Sequence, residues 1–484
     1  MKGILEPLRS FALRFFGGWN DAFFKNTLLT LLAVRITQQT DDPANIIAGV
    51  FILPFFLFSA RAGQLAKKYN RVHLTDALKL TELCLMLVVA AVLLTKNTYL
   101  LVLIPLALGT VSVFFGPMKY AFLPEYLEPD DLIAGNTYIE KSTYFSIVAA
   151  ALIGTLLPVR VGAGCLIVFS VLAYMIVRAE TPKNDDDKVE IKRSNNIFKG
   201  IASTLRLVRK HPMIFRSILG ATWFWSIGML IVLLLYPLTL QFFNATSLAV
   251  PVFLMIFAAG IGLGARFCNK LLKGLAHTTF VPITSIAMSL CFLVLFTLLD
   301  GYETPETPLA LPEFFEQFRI LGVCGVFFAL SFFAGMYIVP LNALMQSRAP
   351  KAYLSTVFAA NNLINACGIA ISSLFVIGLR RMGLTLPELF LLAGIINLFV
   401  ALYNCTVLPD ALVRSIAQTV LEFFYRVTVK GLPNVKVAGK RVLIIANHAS
   451  RLDALLLAAF MPEKITFTDS PEIQNKWYIR VFSL

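Results

Sequence analysis

The 484-residue sequence is 58% hydrophobic and 14% charged, with a mean hydropathy of +0.76. Soluble chains carry about 25% charged residues, so this composition excludes a soluble globular protein and indicates a lipid-embedded one. The net charge of +14 falls in short loops between apolar stretches, which fits anionic lipid and argues against nucleic acid as a partner.

The chain opens on an amphipathic, basic arm, Met1 to Arg14, without the short apolar stretch and small-residue exit of a cleavable signal. Membrane crossing needs about 20 apolar residues per helix. Spans are predicted at 17–38, 45–66, 76–95, 98–117, 136–157, 162–179, 213–240, 248–270, 278–299, 318–341, 354–378 and 386–407. These are roughly twelve helices, with Asp, Glu and Pro punctuating the gaps between them. The seven cysteines, Cys84, Cys165, Cys268, Cys291, Cys324, Cys367 and Cys405, lie in or beside apolar runs with no C-x-x-C spacing. They read as small packing residues, and the sequence calls for no metal and no cofactor.

Lys and Arg in the short loops set the orientation. They gather in the starting arm (Lys2, Arg9, Arg14), after span 2 (Lys67, Lys68, Arg71), and from Arg178 to Lys210. They recur at the end of span 8 (Arg266, Lys270, Lys273) and after span 10 (Arg348, Lys351). The alternate loops are poor in them: 37–45 carries Asp41 and Asp42, 241–247 has no charge, and 300–317 is acidic. The acidic loop 125–131 and the pair Arg380-Arg381 run against the trend. The majority places both ends of the chain in the cytoplasm.

The long loop 181–212 divides the spans six and six. Its later part, 197–208, has apolar residues at helical spacing with Lys199 and Arg206 between them, which predicts an amphipathic helix on the membrane surface. The halves, 1–180 and 213–407, also echo each other. Span 4 exits through Gly116-Pro117-Met118-Lys119-Tyr120, and span 5 opens on Gly135-Asn136. Span 10 exits through Gly335-Met336-Tyr337-Ile338-Val339-Pro340, and span 11 carries Asn361-Asn362. Matching features at matching places predict an all-α polytopic membrane protein built from two six-helix repeats, with a substrate site between them.

Ionisable residues inside spans are costly and face a cavity or a partner. Asp21 and Lys25 lie four apart on one face of span 1, between Asn20 and Asn26. Span 3 has Lys79 and Glu82, span 4 ends on Lys119, and span 5 has Glu140 and Lys141. Two readings stand for these groups: ion pairs and snorkelling lysines of the bundle, or groups lining a substrate path.

The loop Gly63-Gln64-Leu65-Ala66-Lys67-Lys68-Tyr69-Asn70-Arg71 resembles the Gly-x-Leu-Ala-Asp-x-x-Gly-Arg loop of the major facilitator superfamily. Lys67 stands at its Asp and Asn70 at its second Gly. The resemblance implies a cytoplasmic gate involving Gly63 and Arg71. A closer one comes from four segments: Asn20-Asp21-Ala22-Phe23-Phe24-Lys25-Asn26, Gly116 to Tyr120, Gly135-Asn136 with Glu140, and Val339-Pro340-Leu341-Asn342-Ala343-Leu344-Met345-Gln346. They resemble the bacterial lysophospholipid transporter family over roughly residues 15–407. That resemblance implies a flippase carrying lysophosphatidylethanolamine from the outer to the inner leaflet of the cytoplasmic membrane. It implies Asp21 against the headgroup amine and Lys119 against its phosphate, with Lys25, Asn136, Glu140 and Asn362 beside them. Lysophospholipid and the surrounding membrane lipids are the expected partners. Ala22 replaces a common Asn of that family, and Trp225–Leu240 in span 7 lacks its buried Arg.

After the last span, Val442 to Ala446 reads as a strand, Asn447 to Asp453 as a polar turn, and Ala454–Phe460 as a helix. The turn, Asn447-His448-Ala449-Ser450-Arg451-Leu452-Asp453, resembles the Asn-His-x-Ser-x-x-Asp motif of glycerolipid acyltransferases. That resemblance implies His448 as general base and Asp453 as the group that orients it. Residues 1–410 are then a transporter domain, and 411–484 the opening of a truncated α/β acyltransferase segment, expected to be inactive by itself. Only a complete acyltransferase would use an acyl donor such as acyl-acyl-carrier protein. Two other readings remain open here: a membrane-anchored lysophospholipid acyltransferase, and a transporter of another polar solute or drug.

Overall fold

The computed structural model describes residues 43–68, 71–94, 98–121, 127, 132–140, 143, 145, 158–178, 197–246, 249–272, 278–350, 353–407, 409–425, 427, 429, 443–446 and 452–461. Span 1, and with it Asp21 and Lys25, lies outside these residues, as does His448.

An apolar chain segment in lipid must satisfy its backbone groups internally, and the described residues do so almost wholly as helices. In the first half these are α1 Pro43–Lys68, α2 Arg71–Leu94, α3 Thr98–Ala121, α4 132–140 and α5 Val159–Arg178. The linking helix is α6 Ile197–Arg209. The second half holds α7 Pro212–Tyr236, α8 Ala249–Leu272, α9 Val281–Leu299, the short α10 Leu311–Glu316, α11 Phe318–Arg348, α12 Leu354–Arg381 and α13 Leu386–Val407. Beyond it come α14 Pro409–Tyr425 and α15 Asp453–Phe460. All six spans of the second half are long and apolar enough to cross a membrane.

Three local departures from the sequence reading have physical causes. Helix α7 continues through a π-helical turn, Pro237–Phe242, beginning at a proline that has no N–H to give to the α-helical ladder. Helix α11 runs past residue 341 to Arg348, because the polar residues that suggested its end are bonded to another helix. Residues 443–446 form no strand ladder among the described residues, and the side chains of Leu443 and Ile445 point outward. A strand exists only by pairing.

The second half packs α8 on α11, α9 on α13 and α11, and α7 on α12 and α11. With lipid on the outside there is no hydrophobic drive between helices, so close backbone approach supplies the contact. Gly260 and Gly264, four apart on α8, do this: a Cβ on either would overlap the backbone of α11 at Phe328 or Phe332. At the end of the bundle bearing the acidic loop 300–317, Phe253 packs edge-to-face on Phe314 and Phe327 at 5.9 and 5.5 Å, and Phe327 on Phe390 at 6.0 Å. In the first half, α1 packs along α3, and α2 along α5 and α3.

The halves meet through α12, which packs on both α1 and α3. A Cβ on Gly63 of α1 would lie 2.6 Å from the Ala359 Cβ, and one on Gly116 of α3 would lie 2.5 Å from Asn362 Nδ2. These contacts cluster at the end where Arg209, Lys210, Arg266, Lys270 and Arg348 emerge, here called the basic end. Helix α6 crosses that end, packing on α1, α12 and α7. Its buried stripe of Gly200, Thr204 and Val208 faces protein, while Phe198 and Lys199 stay exposed.

Replacing Gly264 with Val is expected to force α8 from α11 and destabilise the fold by about 2 kcal/mol, the usual scale of overpacking. Gly325→Ala, at a position with open space around it, should leave the melting temperature in detergent unchanged.

Candidate functional site

A band of buried polar side chains occupies the junction of the halves. Helix α4 begins at the basic end and α11 finishes there, so they meet antiparallel. On α4, Asn136 and Glu140 are four apart; on α11, Asn342 and Gln346 are four apart. Residues so spaced share a helix face, and antiparallel crossing matches them in pairs. Asn136 Nδ2 donates to Gln346 Oε1, and Gln346 Nε2 donates back to Asn136 Oδ1 at 3.3 Å. One turn deeper, Asn342 Nδ2 donates to Glu140 Oε1 at 3.3 Å. Beside them Thr137 Oγ1 donates to the Ala265 carbonyl of α8 at 3.2 Å. All five side chains are buried, and buried amides without partners would cost much more than these pairings return.

Helix α12 continues the band. Asn365 Oδ1 accepts from Thr222 of α7 at 2.7 Å. Asn361 is only 4% exposed; among the described residues its Oδ1 accepts no hydrogen bond, and the buried Nδ2 of Asn362, facing Gly116, donates none. Consecutive residues of α12 thus carry an unmatched acceptor and an unmatched donor, the donor facing the first half at Gly116. Buried polar groups without partners are uncommon in folded proteins, and a ligand is one explanation.

Of the residues singled out in the sequence, Asn136 and Glu140 meet α11 here, Asn362 of α12 faces Gly116 of α3, and Gly63 lies against Ala359. Lys119 and Arg71 fall within helices α3 and α2, near the basic end. Asp453 opens α15, in the segment that packs on α14, away from the junction. Lys79 and Glu82 form an ion pair of 2.7 Å, with Lys79 Nζ 4.7 Å from the Phe115 ring centre. Asn342 and Gln346 were not read as site residues, although their four-residue spacing repeats that of Asn136 and Glu140.

The amide pairing should be measurable as a coupling. In a chain carrying Ser355→Cys under Gly63, Gln346→Ala or Asn136→Ala is expected to raise the labelling rate from the basic side by about threefold, the equivalent of ~0.6 kcal/mol for one intramembrane hydrogen bond. The double variant should add little beyond either one. Fully additive effects would mean that the two amides act independently.

The family model described as Major Facilitator Superfamily matches residues 13–373. The chain is 24% identical over 377 residues to the lysophospholipid transporter LplT of Klebsiella pneumoniae, covering 75% of this chain and 86% of that protein. It is also 24% identical over 349 residues to LplT of Escherichia fergusonii, covering 70% and 79%. Among solved structures it superposes on the major facilitator transporter FucP in the outward conformation, with a TM-score of 0.61 at 11% identity, over 81% of this chain and 97% of that one. It superposes on the human organic anion transporter MFSD10 with a TM-score of 0.56 at 14% identity, over 81% and 99%. The matched region takes in both halves and the amide band between them, and the chain belongs to the major facilitator superfamily as a multi-pass membrane transporter.

Proposed function

We propose that the protein is a lysophospholipid flippase, carrying lysophosphatidylethanolamine-like lipids from the outer to the inner leaflet of a bacterial cytoplasmic membrane for reacylation. The observation that carries this reading is the unmatched donor and acceptor of Asn362 and Asn361 within the band joining the halves. Similarity to the LplT proteins across both halves supports the choice of substrate class. A zwitterionic headgroup needs both signs of charge in the site. Asp21 and Glu140 supply negative charge for the amine, and Lys25 and Lys119 positive charge for the phosphate, with Asn136 and Asn362 as neutral hydrogen-bonding groups.

The contacts at the basic end support a gate there, with Gly63 and Gly116 at close approaches of the halves and Arg71 as a further gate residue. If the basic end is cytoplasmic, as the Lys and Arg distribution implies, this closure corresponds to a state that receives substrate from the outer leaflet. Both termini are then cytoplasmic. Residues 1–410 form the transporter domain, with halves 1–180 and 213–407, and 411–484 form a separate cytoplasmic segment bearing the His448–Asp453 motif.

Flipping of fluorescent lysophosphatidylethanolamine by the purified protein in proteoliposomes tests the reading. Asp21→Asn and Lys119→Ala are each expected to slow it by roughly tenfold or more, the loss of one charged hydrogen bond. His448→Ala should leave flipping unchanged, because the motif lies outside the transport path. Wild-type protein that moves no lysolipid would remove the proposal, and normal flipping by Asp21→Asn would make that residue structural. An impermeant thiol reagent should leave a cysteine placed at Ser415 unlabelled from outside intact cells.

A further inference from the structure

The face of α12 that begins at Asn361 changes character along its length. Asn361, Asn365, Gly368, Ser372, Val376 and Leu379 follow one another at steps of three or four, so they form one stripe. The stripe starts with the unmatched Asn361 Oδ1 near the basic end and passes the Thr222–Asn365 bond. From Gly368 onward it forms the wall of a cavity of about 300 Å³ enclosed by α7, α12 and α13. Gly368 is needed where the groove begins: a Cβ there would meet the Thr222 and Ser226 side chains of α7.

The rest of the lining is almost wholly apolar. Trp223 forms part of the wall, its Nε1 donating to Asn397 at 2.8 Å, which leaves the ring for apolar contact. The cavity opens on the flank of the second half, where Ile371 and Phe375 are exposed. The eleven steps from Gly368 to Leu379 make it about 16 Å long, at 1.5 Å per residue. Its volume is at the lower end of ligand pockets, which range over roughly 300–1,000 Å³. A slender single chain fits such a space, and a bulky two-chain lipid does not.

Unmatched hydrogen-bonding groups at one end of a stripe and a long apolar groove at the other describe the two ends of an amphiphile. We propose that the α7–α12–α13 groove seats the one acyl chain of the transported lysolipid while Asn361 and Asn362 meet its headgroup. The assignment rests on the lysolipid reading given above. It makes the groove a determinant of chain number and chain length, with Ser372 and Trp223 as the residues that shape it.

The test uses the full chain and reads Trp223 fluorescence, taken as the difference between the wild type and Trp223→Phe. Lysophosphatidylethanolamine with a brominated acyl chain should quench that component saturably. The unbrominated lysolipid should compete, and tail-less glycerophosphoethanolamine should not. Ser372→Phe, which fills the groove from its open side, should weaken the lysolipid's quenching by roughly tenfold, the loss of about two buried methylenes. No Trp223-dependent quenching would overturn the proposal. So would quenching by brominated diacyl lipid that lysolipid fails to displace, since the occupant would then be a bilayer lipid. Flipping without quenching removes the groove assignment alone, whereas saturable quenching without flipping removes the transport reading and leaves the chain site in place.

Discussion

Two amide-based pairings between α4 and α11 are the contacts on which the closed basic end depends. Asn136 with Gln346 and Glu140 with Asn342 join four buried polar side chains across the two halves. In a bilayer the alternative to such bonds is another partner or water, and each bond contributes only about 0.6 kcal/mol net. The arrangement is therefore strict in geometry and modest in energy. That combination suits a junction that must open and reclose, and Gly63 and Gly116 let the backbones come close enough for it to form.

Much of this architecture is legible in the amino-acid sequence because lipid imposes few solutions on an apolar chain. In the second half the predicted spans and the observed helices agree within a few residues at most ends, and α6 appears where apolar residues return at helical spacing. The site is less legible. Asn342 and Gln346 fall just past the predicted end of span 10 at residue 341, and only the antiparallel crossing with α4 turns their spacing into a pairing. Asn361 and Asn362 stood out as an adjacent pair, but which of their atoms lack partners is a property of packing that no linear pattern encodes.

Lys79 and Glu82 illustrate a different kind of ambiguity. Their sequence spacing was compatible with a bundle ion pair or with a lining of the substrate path. The structure brings them to 2.7 Å within α2, buried, with the lysine over Phe115 of α3. Desolvating two charges is expensive, and the pair repays it only with good geometry and further contacts. The cation–π contact is one such contact, and it ties α2 to α3.

The segment after the last span is attached in an asymmetric way. Helix α14 packs on α9 and α13, and α15 packs on α14, where Gln418 Nε2 donates to the Ala459 carbonyl at 2.6 Å. Both of the anchoring spans belong to the second half. When the halves rock against each other, this appendage travels as a passenger of that half and sweeps an arc beneath the other.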